Sequence, residues 1–185
     1  MSWKIRLPFL LITLVGGLAA GMVIGGFEDT LDTIIIAAMF IPVVMDMGGN
    51  VGVQSSTIFL RGALLGHVNQ KKMKRLIMRE TLIGLSMGTI VGIVCGFVAF
   101  GFAQIGFMGN ELLLHESARL GLAVALSLVA VMTIAATIGF IVPYVLMKLN
   151  IDQAAATDPI ITSIKDIIGL SIYFGLIVLL LGHLF

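Results

Sequence analysis

Three charged side chains fall deep inside apolar stretches of this chain: Asp46, Lys165 and Asp166. A charge at bilayer depth costs about 2.5–3.5 kcal/mol on insertion scales, so each needs a partner or a purpose. Asp46, Asn50 and Gln54 recur at i, i+4 and i+8, which stacks them on one face of a helix. They offer a carboxylate and two amide carbonyls, all hard oxygen donors. Asp158, Thr162 and Asp166 repeat the same interval, and Gly169 and Tyr173 continue that face. Such oxygens suit Mg²⁺, Ca²⁺ or Mn²⁺, whereas softer metals favour imidazole or thiolate. No His or Cys lies near either stripe, since His67, His115 and His183 belong to connections or the terminus and Cys95 to another apolar run. Mg²⁺ gives up its water reluctantly, so a roomy ring of acceptors suits its hydrated ion and tips the donor set toward it. The candidate metal-binding residues are therefore Asp46, Asn50, Gln54, Asp158, Thr162 and Asp166.

The backbone around these residues carries its own signals. Pro42 cannot donate to the Ala38 carbonyl, and Gly48-Gly49 weakens a helix, so a break is expected there. Irregular backbone at membrane depth is tolerated where it lines a watery cavity, and its freed carbonyls are cation ligands. The alternative is a kinked helix whose polar side chains bond one another across a bundle. Asp158 before Pro159 reads as an N-cap with proline at the first helical position. A carboxylate there would also offset the electropositive helix end at a pore mouth. Asp166 then lies roughly 14 Å into its helix at 1.5 Å per residue. Asp46 lies a similar rise into an oppositely running one, so the two carboxylates can meet at one depth. Lys165 either pairs with Asp166 or Asp46 or extends to the cytosolic headgroups; the second is expected, because consecutive residues face different ways.

The elements that must position these residues are membrane helices. Apolar residues make up 59% of the 185 and charged ones 11%, against roughly 25% charged in a soluble domain. The solvent of this chain is mostly lipid, and its length fits one compact domain, residues 1–185. Apolar runs give five spans, at about 8–27, 32–60, 80–103, 119–147 and 159–184. The fold class is an all-α integral membrane protein. Although Lys4 and Arg6 precede the first run, it is too long for a cleavable leader and is read as a retained helix. The connection 61–80 holds Arg61, Lys71, Lys72, Lys74, Arg75 and Arg79, and Lys148 lies on the same side as Lys4 and Arg6. Glu28, Asp29, Asp32, Glu111 and Glu116 lie on the other. That asymmetry places the N-terminus in the cytoplasm and the C-terminus outside a cell membrane. Basic residues confined to connections, with a net charge of +1, offer no face for nucleic acid.

Glycine recurs every four residues at Gly17, Gly21 and Gly25, and again at Gly84, Gly88, Gly92 and Gly96. Such stripes let helix backbones approach closely in lipid, within one chain or between two. No internal repeat is visible and five spans is an odd number, so a site between inverted repeats is not available. A homodimer with the pathway on or beside its two-fold axis is the simplest alternative.

The run Pro42-Val-Val-Met-Asp-Met-Gly-Gly-Asn-Val-Gly-Val-Gln-Ser-Ser-Thr57, followed by Arg61-Gly62, resembles the second-helix signature of the MgtE magnesium channel and transporter family. Asp158-Pro159, with Asp166-Ile-Ile-Gly-Leu-Ser-Ile-Tyr173-Phe, resembles its fifth helix, and Arg6-Leu-Pro8 and Phe27-Glu-Asp-Thr30 its first helix and outer turn. Eukaryotic magnesium solute carriers share this domain. The resemblance covers essentially the whole chain. It implies a five-helix domain that dimerises, with the second and fifth helices lining a pore for hydrated Mg²⁺. It also implies that the key aspartate is Asp166, that Thr162 holds the neighbouring backbone position, that Asp152 and Asp158 lie at the mouth, and that Asn50 is the signature asparagine. Bacterial relatives carry a cytoplasmic regulatory part ahead of the first helix, whereas here only Met1 to Leu7 precede it. The expectation is a single transmembrane domain with no regulatory cytoplasmic domain, either as a pore without a sensor or as part of a longer chain.

The function expected is transport of a divalent cation, Mg²⁺ above others, through a channel lined by the second and fifth helices. The partners expected are the ion, the bilayer and a second copy. The alternatives are a carrier coupled to H⁺ or Na⁺, and a non-transporting membrane subunit whose polar face docks a partner helix. An enzyme is not expected, because no nucleophile–base pair or metalloprotease motif falls at membrane depth.

Overall fold

A computed structural model describes residues 2–68, 72–107 and 112–184, apart from the side chains at 2, 5 and 183. Lys71, Glu111 and the His183 side chain lie outside the described residues. The described chain is all helical. Helix α1 is Ser2–Gly25, followed by a short α2, Glu28–Thr33, and a 3₁₀ segment, Ile35–Met39. The long helices α3 (Phe40–Leu64), α4 (Met73–Gln104), α5 (Leu114–Lys148) and α6 (Gln153–Leu181) follow, with a 3₁₀ turn at Gly182–Leu184. Five segments are long and apolar enough to cross a membrane.

Most helices extend past the apolar runs that define the expected spans, because hydropathy marks the limits of lipid and not of helix. α4 takes in Lys74, Arg75 and Arg79 before its apolar stretch begins. Chain reversals use left-handed residues just beyond three helix ends, Gly66, Gly106 and Asn150. At Asn150 the turn is closed by the Ile151 amide donating to the Leu146 carbonyl at 3.0 Å.

α5 is the central helix, packing on α4, α3 and α6, while α1 rests chiefly on α6. The two glycine stripes part company here. Added side-chain atoms at Gly84, Gly88, Gly92 or Gly96 would strike α5, at Gly92 within 2.6 Å of the Ala125 carbonyl oxygen. That stripe is a contact inside the chain. Gly17, Gly21 and Gly25 face open space instead. Where α1 ends, Phe27 stacks on Phe174 with ring centroids 4.8 Å apart, and Tyr173, fully buried, donates to the Ala37 carbonyl at 2.7 Å.

Two local expectations are corrected. The helix carrying Asp166 starts at Gln153, six residues before Pro159. Its N-cap is Asp152, whose Oδ1 accepts from the amides of Ala154 and Ala155 at 3.0 and 3.4 Å. The Ala-rich segment after Asp152 favours helix strongly enough to carry it through Asp158-Pro159, at the loss of one main-chain bond. Asp158 is thus an exposed residue within the helix and not its cap. The second correction concerns Gly48-Gly49, which does not break α3. The irregular backbone lies earlier, at Ile34–Met39, and Pro42 sits in the first turn of α3, where a missing amide costs little.

Candidate functional site

α3 and α6 carry all six candidate residues and are packed against each other. On α3 the expected stripe is present on one exposed face. Asp46, Asn50 and Gln54 are all exposed in the single chain, and the Asn50 amide donates to Asp46 Oδ2 at 3.0 Å. One carboxylate oxygen of Asp46 is therefore oriented by its own helix.

On α6 the stripe sinks into the protein toward the C-terminal end of the helix. Asp158 is exposed, Thr162 half-buried and Asp166 buried. Beyond Asp166 the face closes. An added Cβ at Gly169 would lie 3.4 Å from both methyls of Val131, and Tyr173 is locked on Ala37. The Ala37 carbonyl, in the stretch where free carbonyls were expected, is accordingly taken. Gly169 and Tyr173 continue the helical face as packing residues.

Lys165 is the residue that joins the two helices. Its ammonium donates to the Met45 carbonyl of α3 at 2.7 Å and forms an ion pair with Asp166. Lys165 is 6% exposed, so the expected extension to the headgroups does not occur. The error lay in treating consecutive residues as facing apart. Their Cα–Cβ bonds do diverge, but a four-carbon stem is long enough to bring the ammonium back to the neighbouring carboxylate. A buried ammonium with two oxygen acceptors avoids the cost of an unpaired charge.

Gly49 makes room for this stem and Gly48 for α5: an added Cβ at Gly49 would lie 3.3 and 3.4 Å from Lys165 Cε and Nζ, and one at Gly48 2.8 Å from Val131 Cγ1. The glycine pair is a clearance and not a helix break. Because one ammonium bonds both Met45 and Asp166, the segments carrying Asp46 and Asp166 lie within a lysine side chain's reach of each other.

Sequence reasoning missed the Met45 carbonyl, which has no side-chain signature, and also Glu80. Glu80, at the end of the basic connection 61–80, is buried at 7% exposure and accepts from Ser55 at 3.2 Å. Neighbouring Thr81 and Thr137 share a hydrogen bond of 2.8 Å between α4 and α5. Thr157, one turn before Ile161, is buried with its hydroxyl unpartnered. Among the described residues no group of three or more His, Cys, Asp or Glu side chains forms a cluster able to hold a metal ion. A fully dehydrated ion would therefore find no acidic cage within one described chain.

Comparison with known proteins bears on this arrangement. The family model MgtE, described as a divalent cation transporter, matches residues 41–176, which include the facing segments of α3 and α6. A Bacillus subtilis protein named magnesium transporter MgtE is 37% identical over 171 residues, covering 92% of this chain and 35% of its own. The Thermus thermophilus protein of the same name is 28% identical over 179 residues, covering 97% and 37%. That of Enterococcus faecalis is 28% identical over 171 residues, covering 92% and 35%. The chain spans little more than a third of the length of these relatives.

Proposed function

Because this chain belongs to the MgtE family of divalent cation transporters, we propose that it moves Mg²⁺ across a membrane along the face shared by α3 and α6. The observation that carries the reading is the polar stripe of α3. Asp46, Asn50 and Gln54 are exposed on a segment of Ile35–Leu64 that is apolar enough to span. A carboxylate turned to lipid is costly, so this face belongs against water or against another polar surface. A second copy related by a two-fold axis supplies both, since it brings an identical stripe to the opposite wall of one pathway. The relatives named magnesium transporters support Mg²⁺ as the ion.

In the pathway, exposed Asp158 and half-buried Thr162 stand at the cytoplasmic end, and Asp46 with Asp166 at depth. Each protomer brings two carboxylates and one ammonium to the deep level, a net charge of −1 from −1 (Asp46), +1 (Lys165) and −1 (Asp166). Two protomers offer −2, matching one divalent ion. With no acidic cage among the described residues of a single chain, the ion is held through its water by oxygens of both copies, as the slow dehydration of Mg²⁺ favours. The basic connection before α4 supports a cytoplasmic N-terminus and an external C-terminus. Membership of a transporter family supports transport as the activity of the chain.

Purified protein in liposomes loaded with a Mg²⁺-sensitive dye tests the reading. Wild-type protein should raise internal Mg²⁺, and Asp166→Ala should not, with both rates normalised to folded protein. Equal rates for the two would remove Asp166 from the pathway. A wild-type rate no greater than that of empty liposomes would refute transport by this chain.

A further inference from the structure

We propose that Lys165 is a tethered counter-cation that competes with the transported ion for Asp166 and so sets its affinity. The inference rests on the pathway proposed above. The ammonium lies between a carboxylate and a main-chain carbonyl, Asp166 and Met45, both of them hard oxygens of the kind a divalent ion seeks. The position is built for a positive charge. Gly49 keeps a side chain out of the way of the lysine's Cε and Nζ, and 6% exposure shields the ammonium from water. With the ammonium in place the Asp166 carboxylate is neutralised, leaving Asp46 as the uncompensated deep carboxylate of the protomer. Asp46 keeps its exposed position and has one oxygen held by Asn50.

An incoming ion therefore meets Asp46 and gains Asp166 only by displacing the ammonium. Two cations cannot share one carboxylate without repulsion, which is strong where the surroundings are poorly solvating. The lysine thus weakens binding at depth. Weak binding is what a conducting site requires, since an ion held by two bare carboxylates would leave slowly. The tether makes the competitor permanent, at a local concentration no cytosolic cation reaches.

The test is Mg²⁺ titration by calorimetry of the purified whole chain in detergent, alongside flux in liposomes. Lys165→Met removes the charge and keeps an unbranched stem. It should bind Mg²⁺ about tenfold or more tightly than wild type, a difference of one decade in Kd, with lower flux at saturating Mg²⁺. Lys165→Arg keeps the charge and should bind within about threefold of wild type, well inside that decade. A lysine that only braces the helices would lower stability in Lys165→Met without tightening binding, so unchanged or weaker affinity in the folded variant overturns the inference. Should Lys165→Met fail to fold, Gly49→Val carries the same test. Its side chain crowds Cε and Nζ, pushes the ammonium from its acceptors and should likewise tighten binding; wild-type affinity in that variant overturns the inference. Wild-type protein that transports Mg²⁺ while the variants bind no tighter refutes the lysine's role alone. Wild-type protein that neither binds nor transports Mg²⁺ refutes the pathway and this inference together.

Discussion

The Lys165 ammonium donates to the Met45 carbonyl on another helix at 2.7 Å while it pairs with the carboxylate of Asp166, its own neighbour in sequence. This contact ties α6 to α3 at the depth where both carry an acid. It makes Asp166 at once a candidate ion ligand and half of a buried salt bridge, and the two roles predict different things.

As half of the bridge, Asp166 contributes to stability. Asp166→Ala leaves a buried ammonium with the Met45 carbonyl as its remaining acceptor among the described residues. Removing one partner of a buried pair costs about 3–5 kcal/mol. Asp166→Ala should lower the thermal midpoint in detergent clearly, whereas Asp166→Asn, which keeps an acceptor oxygen, should lower it less. Lys165→Met/Asp166→Leu, with neither charge, should recover most of the loss. A midpoint for Asp166→Ala equal to wild type would show that the pair contributes nothing.

How far this was legible in the sequence depends on the range of each interaction. Asp46, Asn50 and Gln54 on one face followed from helical period alone, a local rule that the structure obeys. That the segments carrying Asp46 and Asp166 approach each other also followed, because rise per residue is fixed and the two helices run oppositely. The bridge did not, since a lysine's reach depends on what stands in its way, and Gly48-Gly49 reads in sequence as a weakness and not as a clearance. The start of α6 was misplaced because Asp158-Pro159 carries the stronger cap signature, yet Asp152 has the extended backbone and the free amides a cap needs. Which glycine stripe packs inside the chain could not be read from two identical spacings.

That last distinction is measurable. Gly92 lies against the Ala125 carbonyl of α5, so Gly92→Leu has no room and should abolish the folded state in detergent. Gly21 faces open space, so Gly21→Leu should fold with a thermal midpoint near that of wild type. Light scattering on the folded Gly21→Leu protein then reports whether that face is used between copies. Normal folding of Gly92→Leu would contradict the tight α4–α5 contact.

The α3 stripe has the opposite character to a packed core, because Asn50 and Gln54 are exposed. Asn50→Leu and Gln54→Leu should each cut Mg²⁺ uptake several-fold while changing stability by no more than about 0.5 kcal/mol, the usual range for surface substitutions. Asn50→Leu also frees Asp46 Oδ2 from its 3.0 Å bond, so it should have the larger effect. If instead stability falls and the rate per folded molecule holds, the two amides bind the copies together and do not line the path.

The last prediction concerns what drives the ion. Asp46, Lys165 and Asp166 together carry a formal net −1 per chain, and the lysine has two acceptors, so on the proposed pathway no proton relay is needed to balance an entering divalent charge. An ion crossing the full membrane field gains about 2.3 kcal/mol per charge per 100 mV, hence about 4.6 kcal/mol for a double charge. At about 1.4 kcal/mol for each tenfold step, that favours inward movement more than a thousandfold. A polarised cell therefore needs no coupled ion to draw Mg²⁺ inward. Uptake into liposomes should follow an imposed K⁺-diffusion potential, carry net positive charge and reverse when the potential is reversed. At fixed voltage it should not respond to a proton or Na⁺ gradient. Electroneutral uptake that stops when such a gradient is dissipated would assign the chain to coupled carriers, with Asp46 or Asp166 exchanging the second ion.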